Sequence, residues 1–169
     1  MKTLLIISMF IAVFGANRAQ AQQLQLLTVP HPESSSYPAV EYKGRIGPPR
    51  IKGEARMFRS GIIRTAEDPP NFAGHYRITT WGCGAGCVMG TLVNVITGHV
   101  MFLPATISDW PSGSSPLEFR KNSRLLVING VRNENEVETS GLRHFYEISG
   151  KKFLYIGSAK REEKIPVVR

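Results

Sequence analysis

The chain has 169 residues, of which 42% are hydrophobic, 20% charged and 9% aromatic. That length suits one domain and is too short for two sizeable cores. The composition excludes collagen-like, coiled-coil and wholly disordered chains, and the formal net charge of +8 favours anionic partners over cationic ones.

The N-terminus reads as a targeting segment. Lys2 precedes an apolar run from Leu4 to Phe14, and Ala19-Gln20-Ala21 matches an A-x-A cleavage site. The run is shorter than the roughly 20 residues a membrane span requires. Residues 1–21 are therefore expected to be a signal peptide cleaved near Ala21, leaving a periplasmic or secreted protein with no transmembrane segment. No cysteine follows the cleavage point, so a lipid anchor there is not expected. Loss of Lys2 and Arg18 lowers the net charge from +8 to +6.

Residues 22–39 form an irregular lead-in, because Pro30, Pro32 and Pro38 interrupt any helix or central strand. Val40 to Tyr42 could be a short edge strand. Residues 55–63 read as a strand, from Gly61 and the β-branched pair Ile62-Ile63. Residues 67–71 are a loop. Three strands follow at 75–81, 88–96 and 99–103, joined by a turn at 83–87 and by Thr97-Gly98, and ended by Pro104. Residues 108–116 are a loop. Residues 124–128 are a strand whose unbroken apolar run predicts burial on both faces. Residues 133–140 are polar and loop-like. Strands at 142–148 and 152–157 make a hairpin across Ser149-Gly150-Lys151, and residues 165–168 could add an edge strand. The expected fold is mainly β: a single antiparallel sheet domain over residues 40–169, a sandwich or partly rolled meander with little helix. Its expected core contains Tyr76, Ile78, Val93, Val95, Phe102, Leu126, Ile128, Tyr146 and Leu154.

Cys83 and Cys87 are the only cysteines. In an exported protein their default state is a disulfide, which would fix the shape of a glycine-rich turn. A redox dithiol needs C-x-x-C at a helix N-terminus, whereas this spacing is C-x-x-x-C between strands. A metal site built from Cys83, Cys87, His75 and His99 would have suitable ligand types, but the spacing is not a zinc pattern and the thiols would oxidise first. No metal or cofactor is expected.

No G-x-S-x-G elbow, H-E-x-x-H helix or phosphate loop is present. The one catalytic alternative is His75 as a general base oriented by a loop carboxylate, Asp68 or Asp109. The loop 110–116 could instead enter a partner's cleft, with Trp110 as anchor and Ser114 or Ser115 as hydrogen-bonding tip. Charge is concentrated in one window. Lys43, Arg45, Arg50, Lys52, Arg56, Arg59 and Arg64 face only Glu54, and the rest of the mature chain is balanced. Arg50, Lys52, Arg56 and Arg59 are the expected docking residues. Export makes nucleic acid an unsuitable partner, leaving an anionic envelope polymer, a lipid head group or an acidic protein. The leading expectation is a non-enzymatic envelope protein that binds another macromolecule.

The block from Phe72 to Pro104, with F-A-G-H-Y, W-G-C-G-x-G-C and T-G-x-V, resembles an uncharacterised family of small exported bacterial proteins. The Asn122-Ser123-Arg124-Leu125-Leu126 stretch and the hairpin around Tyr146 and Tyr155 are similar to that family too, so the likeness covers about half the mature chain. It implies no catalytic residues. A looser likeness, in size, compartment, β content and a serine-bearing loop, is to periplasmic immunity proteins that plug cell-wall amidases.

Overall fold

Alternating apolar and polar side chains along β-branched and aromatic runs build strands, and nine of them form two antiparallel sheets in the computed structural model, which describes residues 30–132 and 141–161. The expected signal peptide 1–21, the loop 133–140 and the edge strand 165–168 lie outside the described residues. The first sheet contains β1 (Tyr76–Gly84), β2 (Cys87–Asn94), β3 (Val100–Phe102), β4 (Ile107–Ser108) and β7 (Val131–Arg132). Strands β1, β2 and β3 make the expected meander. The chain then bends at Pro104, and β4 pairs with the other end of β2. The second sheet is ordered β5 (Leu117–Phe119), β6 (Leu125–Asn129), β8 (Leu142–Ser149) and β9 (Lys152–Lys160). The mainly β, unclosed two-sheet architecture agrees with the sequence reading.

The sheets face each other across the main core. Tyr76, Ile78 and Leu92 from the first meet Leu117, Leu126, Ile128, Tyr146 and Ile148 from the second. Strand β6 is buried on both faces, as its apolar run predicts: Leu125 and Val127 point away from the main core into a smaller cluster with Phe145 and Ala159. Leu154 was expected inside and is instead 40% exposed. The two-residue turn pairs Ile148 with Phe153, so Leu154 falls opposite Glu147 on the other face of the sheet. Phe102 is half-buried and lies outside the main core.

The F-A-G-H-Y motif is a structural joint. Phe72 and Tyr76 exchange two backbone hydrogen bonds around a turn in which Ala73 and Gly74 both have positive φ. Only glycine fits the second position, because a Cβ on Gly74 would lie 1.9 Å from the Val40 carbonyl oxygen. Gly74 also donates to Lys121 O at 2.6 Å and accepts from Tyr42 N–H, so three distant segments meet at this turn. That anchorage holds residues 40–42 as an ordered but non-strand segment, correcting the expected edge strand.

Residues 55–63 are not a strand either. A 3-10 segment, Gly53–Phe58, runs into a short helix α1, Arg59–Arg64. Ala55, Phe58 and Ile62 recur at helical spacing, and with Ile51 they pack on Trp81, Val93, Val100 and Phe102. This amphipathic cover closes the outer face of the first sheet. Phe58 stacks on Trp81 at 5.1 Å and meets Phe102 edge-on at 5.6 Å. Burial of each such apolar side chain contributes about 2 kcal/mol, enough to override the strand propensity of two adjacent isoleucines. Beyond the cover, Arg77 is only 1% exposed and its Nε donates to the Asp68 carbonyl oxygen at 2.7 Å, pinning the following loop. Burial lowers the Arg77 pKa, and Asp68 opposes that shift.

Candidate functional site

The cover sorts its own side chains. Those at helical spacing go inward, and the cations between them go outward. Arg50, Lys52, Arg56, Arg59 and Arg64 are all exposed, as are Lys43 and Arg45 earlier in the window. None of the seven forms an ion pair or side-chain hydrogen bond among the described residues. Three cations elsewhere are compensated: Lys121 pairs with Glu41, Arg124 with Glu147 and Arg143 with Glu118, at 2.8 to 2.9 Å. Positive charge along residues 43–64 is thus left to solvent or to a partner.

The start of this segment borders a recess. A recess of about 300 Å³ is lined by Arg50, Lys52, Thr97, His99, Val100 and Lys151. Three segments far apart in sequence build it: the start of the cover, the β2–β3 turn and the β8–β9 turn. The first two are zipped together. Gly47 N–H donates to Val95 O at 2.7 Å, Arg50 N–H donates to Gly98 O at 2.6 Å, and Arg50 lies in a parallel bridge with His99. The β2–β3 turn is fixed by Asn94, whose Oδ1 accepts from Ile96 N–H and Thr97 N–H at 3.0 Å each. The β8–β9 turn is held by Tyr76, whose hydroxyl donates to Gly150 O at 2.6 Å. Arg50 and Lys52 stand out in the sequence as part of a charge run. Thr97 and Lys151 do not, because each is an ordinary turn residue until folding joins the two sheets.

The other candidates are placed as follows. Cys83 and Cys87 are disulfide-bonded at the exposed end of the β1–β2 hairpin, where the register shifts by a bulge. His75 and His99 are not gathered with them, and among the described residues no group of three or more His, Cys, Asp or Glu could hold a metal ion. The His75 ring lies 4.3 Å from the Tyr76 ring, and burial lowers its pKa below 6.5. Among the described residues it has no hydrogen bond to Asp68, Asp109 or any other carboxylate. Trp110 is half-buried against the main core. The Ser114 hydroxyl donates to Pro111 O and the Ser115 hydroxyl to Leu117 O, each at 2.6 Å. These bonds shape the 110–116 loop from within, and Asn129 Nδ2 on β6 donates to Ser115 O at 2.9 Å and ties the loop to the second sheet.

A second polar cluster escaped the sequence reading. His144 is fully buried, with Nδ1 3.5 Å from the Tyr155 hydroxyl, and the Arg132 guanidinium lies over the Tyr155 ring at 4.8 Å and donates to the Tyr146 hydroxyl. Its members come from β7 of the first sheet and from β8 and β9 of the second, so the packing of the two sheets brings them together.

Among the described residues no helix is long and apolar enough to cross a membrane. Comparison with protein-family models, curated proteins and solved structures found no match to this chain.

Proposed function

We propose that this is an exported, non-enzymatic protein that docks on an anionic polymer of the cell envelope through the face built by residues 43–64. The observation that carries the reading is the run of uncompensated cations from Lys43 to Arg64, which holds only one acidic residue, Glu54. Seven exposed cations lack protein partners among the described residues, while the paired arginines and lysine lie elsewhere. An uncompensated cationic surface raises the local concentration of polyanions and accelerates encounter. The Cys83–Cys87 disulfide supports residence in an oxidising compartment such as the periplasm. The His75 alternative lacks the carboxylate that an acid–base pair requires. The Trp110 insertion alternative lacks a free anchor, because that indole already packs on the core.

A pull-down tests the reading. Mature wild type and an Arg50→Gln, Lys52→Gln, Arg56→Gln, Arg59→Gln variant are incubated with anionic wall polymer and, separately, with an envelope protein extract. Retention of the wild type alone by the polymer supports it. Equal retention of both proteins, or capture only of an acidic protein, overturns it.

A further inference from the structure

The recess at the start of the cationic segment has the chemistry of a site for a single charged group. We propose that Arg50, Lys52, Thr97, His99 and Lys151 bind one phosphoryl group, an inference that rests on the docking reading above and names the chemistry that the polymer presents. Arg50, Lys52 and Lys151 place three basic residues around a volume of about 300 Å³, and no carboxylate lines it. Cations that line one recess repel one another, and an anion held among them offsets that repulsion while adding attraction.

The number and type of donors select among anions. A carboxylate carries one negative charge and two oxygens. A phosphomonoester carries up to two charges and three terminal oxygens, and a phosphodiester still offers a tetrahedral group that an arginine fork and lysine ammonium groups can share. The Thr97 hydroxyl adds a donor, because its oxygen accepts from His99 N–H at 3.3 Å and its own hydrogen has no protein acceptor among the described residues. His99 lines the same recess and carries an imidazole as a further polar group. A recess near 300 Å³ is at the small end of ligand pockets, suited to a head group rather than a whole bulky ligand. Its backbone is also set before any ligand arrives, since Arg50 is tied to Gly98 and the two bounding turns are held by Asn94 and Tyr76. Little further backbone ordering is needed on binding.

The phosphoryl group could be borne by a wall polymer or by a lipid head group, and separate arms of one experiment distinguish them. Amide shifts of the labelled full-length mature protein are followed by NMR during titration with inorganic phosphate, and with acetate at matched ionic strength. Phosphate should saturate shifts at Thr97, Gly98, His99, Val100 and Lys151, while acetate should not. Lys151→Gln and Thr97→Val are exposed-turn changes, and Lys151→Gln should weaken phosphate binding about tenfold, the loss of one charge-assisted contact. A poly(glycerol phosphate) and phosphatidylglycerol vesicles then serve as the two macromolecular probes. Competition by phosphate for the polymer, but not for the vesicles, assigns the group to a polymer; the reverse assigns it to a lipid. Equal shifts with acetate, or wild-type affinity in Lys151→Gln, would overturn the recess as a phosphoryl site. If that happens while Arg56→Gln with Arg59→Gln still loses polymer binding, the docking face survives without it. Loss of neither points to failure of both.

Discussion

Gly98 sits so close to Pro48 that no side chain fits between them: a Cβ on Gly98 would lie 2.3 Å from the Pro48 carbonyl oxygen. Its φ of +73° is a second demand for glycine. This approach is what brings the Arg50 segment against the β2–β3 turn, so a backbone requirement in one turn positions the cations of another segment.

Gly98→Ala is therefore expected to act at two levels. Left-handed backbone at alanine costs about 1–2 kcal/mol, and relief of the clash must move residues 48–50. The expected loss of stability is at least about 2 kcal/mol by urea denaturation. Polymer binding should fall in a protein that remains folded at low denaturant. An unchanged midpoint and unchanged binding would show that the turn tolerates a side chain and does not position Arg50.

The disulfide is expected to shape a hairpin end rather than to hold the fold. Cys83 and Cys87 are separated by four positions at an exposed tip, and closing so short a loop stabilises by about 2 kcal/mol in the chain-entropy model. Cys83→Ser with Cys87→Ser should keep its far-ultraviolet circular dichroism and lose no more than about that amount in thermal or chemical unfolding. Collapse of the β signal would mean that the bridge is essential to the sheet.

Burial of His75 gives a pH dependence with a definite sign. Its folded pKa lies below the ordinary value of 6.5, so the unfolded chain binds the proton more readily. The contribution of neutral His75 to stability is present in full above the unfolded value and is lost as pH falls through that value toward the lowered folded one. Below both it is constant. The difference in unfolding free energy between wild type and His75→Gln, measured from pH 8 to pH 5, should shrink or reverse as pH falls. A pH-independent difference would contradict the burial argument.

Much of the sheet architecture was readable because period-two patterning and turn dipeptides are local signals. Tyr76 and Ile78 alternate into the core, Thr97-Gly98 marks a tight turn, and Ser149-Gly150-Lys151 marks a hairpin. The cover was misread because Ile62-Ile63 favours a strand locally, although Ala55, Phe58 and Ile62 already carried the helical spacing that packing selects. Leu154 was misplaced because hairpin register decides which face a residue takes, and a one-residue difference inverts it. The charge run was visible as charge, but the recess at its start was not. Lys151 and Arg50 are 101 positions apart, and only the docking of the two sheets brings them to one recess.

The central claim is that docking is electrostatic and runs through one face, and the salt dependence of binding tests it most directly. The dissociation constant for the anionic wall polymer is measured across a series of salt concentrations for wild type and for the Arg50→Gln, Lys52→Gln, Arg56→Gln, Arg59→Gln variant. Screening weakens exposed charge pairs beyond about 8 Å at physiological salt, so wild-type affinity should fall steeply as salt rises. The variant should bind more weakly at low salt with a much shallower dependence, and its unfolding midpoint should stay close to wild type, since exposed unpaired cations contribute little to stability. Parallel salt slopes for the two proteins, or salt-independent binding by the wild type, would contradict the account.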